Sequence, residues 1–78
     1  MNRTDLKQKL SQLNIRPDAY SVDGGHPSEA YVLVDDAGHW RVYYSERGQE
    51  SGAVEFSDES AACQYLLDLL MRDPTTRQ

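Results

Sequence analysis

The sequence predicts an α+β domain in which a helix, a four-stranded antiparallel meander and a second helix follow in order, with both helices packed on one face of the sheet. Three observations predict it. Leu6, Leu10 and Leu13 recur at helical spacing. Residues 30–34 and 40–44 are rich in β-branched, aromatic and long side chains and flank Asp35-Asp36-Ala37-Gly38. A last segment carries Ala62, Tyr65, Leu66, Leu69 and Leu70 on one helical stripe.

Seventy-eight residues make one domain, 1–78, expected to be ordered over about 4–73. A chain of this size buries roughly 60% of the surface its unfolded form exposes, enough for one modest core. Function is therefore expected on a surface.

In order, Thr4 is a fitting N-cap, with Asp5 in a first turn whose dipole favours a negative charge. Arg16-Pro17 closes that helix, because proline disfavours helical geometry in the residue before it. Tyr20 and Val22 alternate in a first strand, and the Gly24-Gly25 and Pro27 segment is a loop. Residues 30–34 form the second strand. A three-residue hairpin loop, in which Asp35 faces His39, leads into a third strand at 40–44. Residues 45–52 are polar and glycine-bounded, as a hairpin loop is, and 53–56 form a short fourth strand with Val54 and Phe56 inward and Glu55 outward. Ser57 caps the last helix, Asp73-Pro74 ends it, and residues 75–78 are expected to fray.

The three-residue loop fixes a register. It pairs Val34 with Trp40, Val32 with Val42 and Ala30 with Tyr44 as the core face, and Leu33 with Arg41 and Tyr31 with Tyr43 on the other. That second face carries tyrosine and arginine, the residue types enriched where partners bind. The competing reading is that a helix or a dimer mate covers it, or that a slip of one residue exchanges the faces.

Thirteen acidic against eight basic residues give a net charge of −5 and a pI near 4.7. Such a molecule is repelled by a nucleic-acid duplex and by an anionic membrane, and no basic run offsets this. A basic partner protein suits the charge; so does simple solubility. Cys63 is the only cysteine, so no internal disulfide forms, and its apolar neighbours mark it as a core residue. The first residues show no apolar signal segment and no run approaches membrane-spanning length, so a cytoplasmic protein is expected.

No catalytic signature is present. His26 and His39, with Asp23, Glu29, Asp35 and Asp36, lack the short ligand spacing of a zinc site, and no metal or cofactor is expected. The mixed-charge segment Glu46-Arg47-Gly48-Gln49-Glu50 reads as a solvated loop or as a contact loop.

Asp18-Ala19-Tyr20-Ser21, Gly24-Gly25, Glu29 to Leu33, Trp40-Arg41-Val42-Tyr43-Tyr44-Ser45-Glu46-Arg47-Gly48 and Glu59-Ser60-Ala61-Ala62-Cys63 together resemble short bacterial immunity proteins that accompany polymorphic toxins. The resemblance spans residues 5–71 and carries no reaction, and immunity proteins are too diverse to transfer functional residues. It implies a small inhibitor that binds a toxin domain, and the acidic charge is compatible with a basic, nuclease-like one.

The expectation is thus a non-enzymatic, acidic binding protein that occludes a partner through Tyr31, Leu33, Arg41, Tyr43, Glu46, Arg47 and Glu55. The alternatives are a homodimeric assembly module and a small enzyme built around His26 or His39.

Overall fold

A computed structural model describes residues Met1–Gln78 as a four-stranded sheet with two helices: α1 (Arg3–Gln12), β1 (Tyr20–Ser21), β2 (Ala30–Asp36), β3 (His39–Glu46), β4 (Gln49–Phe56) and α2 (Glu59–Arg72). The strand order β1-β2-β3-β4 is that of a meander, but the sheet is mixed. β1 runs parallel to β2, with Tyr20 beside Tyr31, and only the other two pairings are antiparallel. The sheet is therefore not the all-antiparallel one that the sequence predicts. Because β1 is two residues long, the chain must recover little distance to re-enter in the same direction, and residues 22–29 suffice as the crossover.

That crossover is held by close backbone approach. The Gly24 N–H donates to Leu33 O at 3.1 Å, and a Cβ on Gly24 would stand 2.9 Å from Val34 Cγ2, at a φ of +75°. Only glycine fits there.

Both hairpins turn through two residues, Ala37-Gly38 at φ +51° and +91° and Arg47-Gly48 at +52° and +78°. Two left-handed residues make the turn that matches the right-handed twist of paired strands. The expected three-residue loop at 35–39 is therefore replaced by a pairing of Asp36 with His39, and the register slips by one. Leu33 faces Val42, Tyr31 faces Tyr44, Val34 faces Arg41 and Val32 faces Tyr43. β3 keeps the side predicted for it, with Trp40 and Val42 on the core; β2 is inverted, and Leu33 rather than Val32 joins them.

Residues 45–52, read as a loop, are mostly strand. β3 and β4 stay paired out to Glu46 and Gln49, with one extra residue in β4 between the pairs Val42–Val54 and Tyr44–Ser51. Gly52, at φ +64°, lies in this bulge.

The main core joins Leu6 and Leu10 of α1, Leu33 and Val42 of the sheet, and Ala62, Cys63, Leu66, Leu67 and Leu70 of α2. Burying each leucine or valine among them contributes roughly 1.5–3 kcal/mol. On the opposite face Ala30, Val32 and Tyr43 are buried outside that cluster, on the side where Tyr43 bonds to the 22–29 crossover.

Caps sit elsewhere than expected. Asn2, not Thr4, caps α1: its side chain accepts from the Asp5 N–H at 2.9 Å, and Asp5 accepts from Asn2 in return. Asp58, not Ser57, caps α2. The tail is stitched down rather than frayed: Arg16 N–H donates to Thr76 O, Gln78 N–H to Asn14 O, and Thr76 is buried. No helix is long and apolar enough to cross a membrane.

Candidate functional site

The register places the seven expected contact residues on different surfaces. Leu33 is fully buried between sheet and helices and offers nothing to a partner. Tyr31 lies on the same, helix-covered side and is half-buried. Tyr43, Arg41 and Glu55 share the other side, where Arg41 stands across from Glu55. Glu46 and Arg47 are exposed at the end of the β3–β4 hairpin. No single Tyr-Leu-Arg face exists, because the one-residue slip sends the β2 and β3 members to opposite sides.

On the crossover side a polar cluster forms around Glu50. Its carboxylate accepts from the Arg41 guanidinium through one oxygen and lies 3.2 Å from His26 Nε2 through the other. Partial burial pushes the Glu50 carboxyl up, but the hydrogen bonds from Arg41 and His26 outweigh it and hold the group below the usual glutamate range. Tyr43 is only 3% exposed, its hydroxyl donates to Gly25 O, and Arg41 lies 5.4 Å from its ring centroid. Burial, followed by the nearby Glu50 charge, raises the Tyr43 phenol. The cluster fastens residues 22–29 to the sheet. His26 does stand within hydrogen-bond distance of an acid, yet the pair is on open surface, and no concavity is lined by His26. His39 pairs with Asp36 at the other hairpin end. No three metal-ligating side chains converge.

On the helix side Tyr31 and Tyr44 meet edge to face, ring centroids 4.9 Å apart, and the Tyr31 hydroxyl donates to Asp73 Oδ2 at 3.0 Å. Thr75 hydrogen bonds hold the Asp73 carboxyl below the usual aspartate range, with Tyr31 contributing, while burial raises the Tyr31 phenol. This tyrosine pair borders two clefts. One, of about 210 Å³, is polar and includes Arg16, Glu29 and Asp73. The other, of about 220 Å³, opens between β4 and α2, with Tyr44, Tyr65 and Leu69 against Ser51 and Gly52.

The sequence reading missed Tyr44, Tyr65 and Leu69 as a surface, having assigned all three to the core. Their half-buried state follows from β4 running on past its expected start, which leaves the end of the sheet wider than α2 covers. Cys63 is fully buried, and desolvation raises its thiol, so it packs rather than reacts.

Charge is uneven. Between residues 18 and 59 ten acidic residues stand against two basic ones, while α1 holds Arg3, Lys7 and Lys9 against Asp5. Arg41 is engaged by Glu50, and Glu46 and Glu55 have no ion-pair partner. A scan against protein-family models and searches of curated proteins and solved structures find no match.

Proposed function

We propose that this chain is a small acidic binding protein that occludes a partner protein, an inhibitor of the immunity type, with the β3–β4 hairpin and its flanks as the contact region. The supporting observation is the unpaired acid on the exposed hairpin: Glu46 and Glu55 have no cation, and Arg41 is already committed to Glu50. Carboxylates so placed guide encounter with a basic surface and slow the approach of an acidic one. Tyr44, half-buried near Glu46, offers rigid apolar contact. The resemblance to immunity proteins adds that the partner is a toxin domain, a basic one by charge complementarity, and that binding blocks its activity.

Affinity capture with the wild-type chain, partner identification by mass spectrometry, and assay of the partner's activity with and without the chain test this reading. The expected result is a basic partner, released at raised salt, whose activity falls as the chain is added in equimolar amount. Capture that ignores Glu46→Lys with Glu55→Lys, or a partner whose activity is untouched, overturns it. The unpaired edge of β4 leaves room for a second reading, a homodimeric module, which concentration-dependent light scattering of the isolated chain distinguishes.

A further inference from the structure

β4 is the last strand in the sheet order, so its outer backbone groups have no neighbouring strand. Eight residues long, with Gln49 to Ala53 all exposed, it presents a template that no proline or lysine blunts. We propose that this edge accepts an extended basic segment of the partner, which adds as a fifth strand and seats an apolar side chain in the cleft between β4 and α2. The proposal rests on the protein-binding reading above and names the partner's chemistry.

The two faces of β4 specify what an added strand must carry. Glu50 stands across from Ser45 and Glu55 across from Arg41, so the bulge at Gly52 brings both carboxylates to one face despite their odd spacing; Glu50 is already held by Arg41 and His26, which leaves Glu55 as the unpaired acid on that face. The other face opens on the cleft of about 220 Å³ formed by Tyr44, Tyr65, Leu69, Ser51 and Gly52. Gly52 contributes no side chain, and a Cβ built there would meet nothing within 4 Å, so the cleft is open at the edge. Residues on a strand alternate between faces. The complementary segment therefore alternates Lys or Arg with apolar residues; main-chain hydrogen bonds give the affinity and the cleft selects the side chain.

Charge also argues against a second copy as occupant. β4 contains two glutamates and no cation. Antiparallel self-pairing about its centre sets Glu50 against Glu55 twice, and parallel self-pairing sets each glutamate against itself, both unfavourable for directly opposed like charges.

The experiment is an amide-resolved NMR titration of the full chain with a blocked peptide of sequence Lys-Phe-Lys-Val-Lys-Phe-Lys-Val. Two controls accompany it, the same peptide N-methylated at alternate residues and one with Glu in place of Lys. The expected result is that amides of 49–56 and of the Tyr65 to Leu69 turn shift, and that each control binds at least about tenfold more weakly. Still β4 amides at millimolar peptide, shifts centred on α1 or residues 22–29, or equal binding of the N-methylated peptide would overturn the proposal. So would self-association of the free chain through the same amides. A captured partner whose hydrogen-exchange footprint misses β4 also overturns it while leaving the inhibitor reading intact, whereas failure to inhibit a captured partner removes that reading instead.

Discussion

Leu33 lies directly across from Val42, and both are wholly buried against the helices. Their pairing decides which side of β2 belongs to the core. Truncating Leu33 removes buried volume that the rigid neighbours cannot fully reclaim, so Leu33→Ala is expected to lower stability by about 2–5 kcal/mol in urea denaturation. Leu33→Asp places a carboxylate there without a partner and is expected to prevent folding. Glu55→Ala, on the exposed side, is expected to change stability by less than about 0.5 kcal/mol. A cooperative, native-like unfolding transition for Leu33→Asp would contradict the register.

The turn that sets this register is tight at some cost. Ala37 sits at φ +51°, a left-handed conformation that costs an ordinary L-residue roughly 1–2 kcal/mol. Asparagine tolerates that region better and is favoured in turns of this kind. Ala37→Asn is therefore expected to raise stability by about 0.5–1 kcal/mol, read as a shift of the denaturation midpoint at unchanged slope. A three-residue loop would show no gain.

Ala37 and Arg47 also explain what the sequence conceals. Helix positions, the apolar stripe of α2 and the orientation of β3 and β4 follow from periodicity, which the packing of Leu6, Leu10, Val42, Phe56 and Leu66 reproduces. Turn chemistry gives no comparable guide here. Neither Asp36-Ala37-Gly38-His39 nor Glu46-Arg47-Gly48-Gln49 carries Asn or Asp at the first left-handed position, so a three-residue loop with glycine alone in that region fits the first equally well by composition. One residue of slip then exchanges the faces of a whole strand. Tyr31 and Leu33 go to the helices while Arg41 and Tyr43 stay opposite, and the composite face dissolves. The parallel β1 is hidden for a different reason, since nothing local distinguishes a loop that reverses the chain from one that returns it.

Ser45 supplies a third prediction. Its hydroxyl is buried, with no hydrogen-bond partner, between Ala30 on one neighbouring strand and Glu50 on the other. An unsatisfied buried hydroxyl carries its desolvation penalty uncompensated. Ser45→Ala is expected to be neutral or stabilising, by up to about 1 kcal/mol, in thermal or urea unfolding. Destabilisation beyond about 1 kcal/mol would mean that the hydroxyl has a partner after all.

Asp73 ties the end of α2 to Tyr31, and its pH dependence has a defined sign. The Thr75 hydrogen bonds, joined by that from Tyr31, depress the folded-state carboxyl below its ordinary value. A depressed carboxyl stabilises the fold above its unfolded pKa, about 3.9, and that contribution is lost as pH falls through the lower folded value. Asp73→Asn is expected to lower stability at pH 7 and to flatten the loss of stability below about pH 4. An acid limb of unchanged steepness in the variant would show that other carboxylates carry the dependence.

Glu50 links the crossover to the sheet from both ends, through His26 in the loop and Arg41 in β3. Glu50→Gln keeps the shape of the side chain but removes the charge that makes both contacts strong. The side chains are partly solvated, so the effect on global stability is expected to be small, about 1 kcal/mol or less. Local order should respond more. The Gly24 amide, bonded to Leu33 O, and the neighbouring backbone at Gly25, which accepts from Tyr43, are opened by loosening the crossover without unfolding the core. Hydrogen exchange at Gly24 is therefore expected to accelerate several-fold in Glu50→Gln while Leu66 and Leu70 in α2 keep wild-type protection. Equal acceleration at all three sites would mean that the crossover and the main core open together, and that Glu50 acts on the whole fold.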